Sequence, residues 1–247
     1  MRASFFLYMS AQTETTILGW AYTNVEGDTA GWDSSSQDYL TARRWANQAI
    51  SKWENYINAK IGSQIPTKWR GLWSTLTAAA DGTKTLTAGT YAYSCPTNMK
   101  YPASYVRTVK NGVSTYWDVL TPDYIPSLDD STYHYCYFTG NPKDGFTLNF
   151  NPELTLTTGD TITYEYYKVA TVFSATTSTT EMDDPYFIVD YVTAMFMKDD
   201  DPDQFRMFMD EAEARLDQMA TNNIIGLEGV DDVIKETLSG GGSGFGE

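Results

Sequence analysis

Asp183-Asp184-Pro185-Tyr186-Phe187, followed by Asp200-Asp201-Pro202-Asp203-Gln204-Phe205, decides how the chain is organised. Each stretch reads as a helix start. An Asp caps the helix, and Pro stands at the first helical position, where its missing N–H costs nothing. The acids also favour the positive end of the helix dipole. The first helix carries Phe187, Ile188, Tyr191, Val192, Met195 and Phe196, and the second Phe205, Phe208, Met209, Ala212, Leu216 and Met219. Their short connection, Lys198–Asp201, makes them antiparallel neighbours. Asn222-Asn223 is expected to stop the second.

The chain before these helices has another texture. From Gly82 to Thr180, Thr, Tyr and Val alternate with polar residues, and Gly or Pro marks the turns. Strands are expected at 84–86, 90–94, 103–110, 115–120, 133–139, 145–150 and 161–169. Asn111-Gly112 is a strong hairpin signal, because both turn residues tolerate positive φ. Further upstream, 13–25 reads as a short helix with Ile17, Trp20, Ala21, Asn24 and Val25 near one face. Ser35 or Ser36 caps the next helix, which reaches about Ile61. Its apolar stripe is Leu40, Ala46, Ala49, Ile50, Trp53, Ile57 and Ile61.

Helices thus flank the strands from both ends of the chain. The expected class is α+β: a helical bundle of N- and C-terminal segments, with an inserted antiparallel β-sandwich or barrel-like module. The divisions are an N-terminal arm (1–12), a helical domain (13–75 and 181–225), the β-module (76–180) and a flexible C-terminal tail (226–247). Val230–Leu238 suits one or two helical turns, and 239–247 has linker composition with Phe245 as its lone aromatic. Met1–Ser10 has too short an apolar core for a signal peptide, and no cleavage site follows. No membrane-spanning run is present, so a soluble protein made in the cytoplasm is expected.

The 247 residues carry a net charge of −15, which argues against gripping nucleic acid along the surface. It is compatible with letting DNA pass, because an acidic lumen repels phosphates. The charge is uneven. Residues 181–236 hold 16 acidic and 4 basic residues, whereas 36–75 hold 6 basic and 2 acidic. Opposite signs match neighbouring copies head to tail; the alternative is two solvated faces.

Catalytic constellations are missing. There is no G-x-S-x-G, phosphate-binding loop or H-E-x-x-H pattern. The single histidine, His134, sits in a strand-like run, so no catalytic activity and no cofactor are expected. Asp199–Asp203 lacks the Gly and distal Glu of a calcium loop, and helix capping explains it better. Cys95 and Cys136 have no metal spacing; they are a disulfide pair or, more in keeping with a large core, buried free thiols. Trp117, Tyr133, Tyr135 and Tyr137 are candidates for stacking on sugar rings, or else core and cross-strand pairs.

The chain resembles the head–tail connector (adaptor or neck) proteins of tailed bacteriophages. The resemblance rests on Arg43-Arg44-Trp45-Ala46-Asn47-Gln48-Ala49 in an amphipathic helix and on Thr90–Pro96 opening the β-module. It continues through Trp117 with Pro122-Asp123-Tyr124, Phe150-Asn151-Pro152, Thr163–Tyr167 and the closing helix pair. It covers roughly 36–222. It implies a virion structural protein in the neck: a ring of identical subunits, commonly twelve, between portal and tail proteins, with DNA passing through and no membrane contact. On that reading Arg43, Arg44, Asp199, Asp200, Asp201, Asp203 and Phe245 are the expected interface residues. The rival is a carbohydrate- or receptor-binding β-module of a phage tail or cell surface, using the aromatics above.

Overall fold

The computed structural model describes residues 12–30, 32–58, 66–76, 84–102, 104–127 and 132–239, with side chains through Asn223 apart from Tyr124, Pro126 and Ser127. The expected N-terminal arm, except Gln12, and Phe245 therefore lie outside the described residues. The chain is α+β and divides into two units, 1–71 with 170–247, and 72–169.

The first unit contains α1 (Glu14–Glu26), α2 (Gln37–Glu54), α3 (Tyr186–Met197) and α4 (Pro202–Ser239). Capping explains their starts. Thr13 Oγ1 accepts from Thr16 N, and Ser36 Oγ accepts from Tyr39 N at 3.1 Å. Asp184 Oδ1 accepts from Tyr186 N at 3.0 Å, and Asp201 Oδ1 accepts from the N–H groups of Asp203 and Gln204. Pro202 opens α4, while Pro185 falls one position before α3.

α3 is apolar nearly all round, as a helix packed by neighbours on several sides must be. Phe187, Ile188, Val192 and Ala194 are fully buried, and complete burial of one such large side chain contributes about 1.5–3 kcal/mol. Contacts from α1, α2 and α4 all reach it. Thr193 Oγ1 donates to the Ala21 carbonyl, and Trp45 meets Phe196 edge to face at 5.0 Å. The segment after the strands is stitched to the helices. Asn47 donates to the Phe173 carbonyl and accepts from its N–H at 2.7 Å, and Thr13 forms a β-bridge with Thr179.

Three helix expectations need correction. α2 ends at Glu54, short of Ile61, because the chain turns at Asn55. Its buried stripe is Tyr39, Ala42, Ala46, Ala49, Ile50 and Trp53, so Leu40 and Ile57 face solvent. Asn222-Asn223 does not stop α4. The Asn223 side chain accepts from Arg70 N and donates to the Lys68 carbonyl instead of competing for its own helix backbone. The helix therefore runs on to Ser239, through Gly226 and Gly229.

The second unit is a nine-stranded sheet: β1 (Trp73–Thr75), β2 (Lys84–Thr85), β3 (Ala92–Ser94), β4 (Met99–Tyr101), β5 (Tyr105–Lys110), β6 (Val113–Val119), β7 (Tyr135–Asn141), β8 (Gly145–Phe150) and β9 (Thr161–Lys168). Its path is β1-β9-β5-β6-β7-β8-β3, with β2 and β4 also paired to β9. β9 is the organising strand. Its alternation puts Ile162, Tyr164 and Tyr166 into a core with Val106, Trp117, Cys136, Leu148 and Phe150. The β5–β6 hairpin turns at Asn111 (φ 50°) and Gly112 (φ 80°), with Lys110 opposite Val113.

Of the two forms expected for the β-module, a sandwich or a barrel-like module, the sandwich is corrected, as is the all-antiparallel pairing: the strands form one mixed sheet curled into a half-barrel, not two stacked layers. β6 and β7 pair parallel, Asp118 with Tyr135 and Val119 with Cys136. The connection from Leu120 to His134 is long enough for the crossover a parallel pair requires.

Candidate interface residues

Arg43 sits on α2 and reaches back to the start of α1. Its Nε donates to Glu14 Oε1 at 2.6 Å, and its guanidinium lies 5.4 Å from the centre of the Tyr39 ring. Glu14 is completely buried, and the bond to it holds the Arg43 guanidinium above its ordinary pKa. Glu14 Oε2 is buried with no hydrogen-bond partner among the described residues. This side chain is committed to its own chain. Arg44, the next residue, is exposed.

The acidic joint between α3 and α4 is mostly open to solvent. Asp199, Asp200 and Asp203 are exposed, and half-buried Asp201 caps α4. Helix capping thus accounts for one of the four. The other three leave a concentrated negative surface at the joint. No group of three or more metal-ligand side chains clusters among the described residues.

The aromatic candidates in the β-unit fare differently from one another. Trp117 is 4% exposed; its Nε1 donates to Thr108 Oγ1 at 3.1 Å and its ring meets Phe150 edge to face at 4.7 Å. Tyr135 is buried, whereas Tyr133 and Tyr137 are half-buried. Tyr133 donates to Asp118 Oδ2 at 2.6 Å. Trp117 and Tyr135 are therefore core side chains with no ring face to offer a sugar. Among the described residues of the β-unit, Trp73, Tyr105 and Tyr116 are the exposed large rings.

One arrangement has no motif in the sequence. Trp20 on α1 and Tyr186 on α3 stack with ring centres 5.1 Å apart and planes at 9°. With Thr23, Asn24, Val189 and Asp190 they line a cleft of about 240 Å³. Asp190 is 5% exposed and accepts from Arg215 Nε at 2.5 Å. Arg215 Nη1 also reaches Asp184 at 3.2 Å, and its guanidinium lies 5.5 Å from the Tyr186 ring centre. Burial pushes the Asp190 carboxyl above its ordinary pKa, against the pull of Arg215. The signal for it was a lone acid inside the apolar run Phe187–Met197.

The family model described as SU10 adaptor protein matches residues 18–230, from within α1 far into α4. No curated protein matches the chain.

Proposed function

We propose, because the chain belongs to the SU10 adaptor protein family of phage head–tail adaptors, that it forms the connector ring joining portal to tail. The family match over residues 18–230 carries the reading. As a phage adaptor the protein is a structural component of the virion. Its work in the neck is mechanical. Identical subunits pack side by side, and DNA crosses the ring without being held. The exposed Asp199, Asp200 and Asp203 suit a surface that repels phosphates, and the net charge of −15 agrees. Residues 240–247, with Phe245 as anchor, serve as an arm that docks on a neighbour. The carbohydrate-binding rival has no comparable support, since Trp117 and Tyr135 are buried.

Electron microscopy and sedimentation velocity of the purified chain, alone and with its portal protein, test this. Closed rings are the expected result. A chain that stays monomeric in both settings overturns it. Deletion of residues 240–247 should weaken assembly and leave the melting transition unchanged; unimpaired assembly would remove the arm from the account.

A further inference from the structure

The cleft between α1 and α3 has the chemistry of a guanidinium receptor. It joins an aromatic pair, Trp20 and Tyr186, to the Asp190 carboxylate. Arg215 is the hydrogen-bond partner of Asp190 among the described residues, and a carboxylate offers about four acceptor sites. The surroundings hold an excess of negative charge: Asp184 and Glu211 act on Asp190 as well, against the one guanidinium of Arg215. A second cation is therefore welcome there, and aromatic faces favour Arg over Lys.

The outer face of α2 offers such a cation. Leu40, Arg44, Gln48 and Ser51 are all exposed and recur at helical spacing, opposite the buried stripe of Tyr39, Ala42, Ala46, Ala49, Ile50 and Trp53. Arg44 has no ion-pair partner among the described residues, and its neighbours on the helix surface, Leu40, Thr41, Asn47 and Gln48, are uncharged. Other cations of this unit are engaged or crowded by acids. Arg43 holds Glu14, Lys52 holds Glu213, and Arg206 lies within a helical turn of Asp203 and Asp210. Leu40, 40% exposed, adds an apolar contact beside Arg44.

We propose that Arg44 of one copy enters the Trp20–Tyr186–Asp190 cleft of the next. The two patches are different surfaces of one chain, so a copy can receive one neighbour in its cleft while its own Arg44 enters another; such a heterologous contact propagates into a ring when the rotation closes, whereas a reciprocal exchange would stop at a dimer. The inference rests on the ring reading above and assigns one of its contacts.

Cross-linking tests it. Thr23→Cys at the cleft and Gln48→Cys one turn from Arg44 leave the proposed contact itself intact. Oxidation of the doubly substituted protein should give a ladder of covalent multimers, and neither single variant should. Arg44→Glu should raise the concentration for half-assembly at least about tenfold, while melting as the parent does. Rings that form without a ladder and tolerate Arg44→Glu overturn this contact and leave the connector reading standing. A chain that is monomeric alone and with portal protein overturns both.

Discussion

Arg43 Nε lies 2.6 Å from Glu14 Oε1, an ion pair that ties α2 to the first turn of α1 across 29 residues of sequence. Glu14 is fully buried, so its carboxylate has no water to fall back on. Removing one partner of such a pair leaves an uncompensated charge, which costs more than the pair itself is worth. Arg43→Ala should lower stability by about 3 kcal/mol in urea unfolding. Arg44→Ala, one residue on and exposed, should stay within about 0.5 kcal/mol of the parent. Equal effects at the two positions would show that the Glu14 pair does not hold α1.

The Arg215–Asp190 pair joins α4 to α3 in the same way, but Arg215 is more than a third exposed and solvent screens part of it. Arg215→Ala should therefore cost less, about 2 kcal/mol. Its pH dependence is the sharper test. Asp190 already has a raised pKa from burial, so its contribution to stability is fully present below the ordinary carboxylate range and is lost as pH rises through its folded pKa. Without Arg215 that folded pKa climbs further. The deficit of the variant should be small in acid and grow toward neutral pH, as read by unfolding at each pH. A deficit that does not vary with pH would mean that Arg215 acts by packing alone.

The elements that were legible in sequence are those with local, repeated signals. Ile162, Tyr164 and Tyr166 alternate cleanly, and β9 is where expected. Asn111-Gly112 turns as its φ preferences demand. β1 and β4, three residues each, were not among the expected strands: Trp73–Thr75 lies outside the Thr- and Tyr-rich stretch, and Met99–Tyr101 shows only a single apolar–polar–apolar step. The parallel β6–β7 pairing depends on how a crossover folds back, which no local pattern records. On α2 the stripe was read one residue off at its start, with Leu40 taken for core where Tyr39 is buried. The cleft escaped notice because its walls come from two helices far apart in the chain. Asp190 was its single trace.

Tyr56 ties the end of α2 to α4 by donating to Asp217 Oδ1. Burial first, then the hydrogen bond and charge of Asp217, push its pKa up to about 12. The neutral phenol is favoured in the folded state, so the stability it confers is fully present below about pH 10, the ordinary tyrosine value. That stability is lost as pH rises through the folded pKa. Unfolding at a series of alkaline pH values should show the parent losing stability over this window, and Tyr56→Phe losing less. The variant should start lower at neutral pH by about 1–2 kcal/mol, having lost the hydrogen bond to Asp217. Identical alkaline profiles would remove Tyr56 as a titrating group.

Cys95 and Cys136 are both buried and both free, which decides between the two readings open at the level of sequence. Cys136 is completely inaccessible, and burial, helped by the charge of Asp118, pushes its thiol up to about 12. The thiolate is the reactive form, and at about pH 8 almost none exists at such a site. A chromogenic thiol reagent should therefore find neither cysteine in the folded protein and both after denaturation without reductant. The rate of labelling should follow global unfolding, since Cys136 pairs with Phe150 across β7 and β8 inside the core of the sheet. Denatured protein with no reactive thiol would mean a disulfide and overturn the assignment. Fast labelling of the folded protein would mean that the β7–β8 core opens locally, without loss of the rest of the fold.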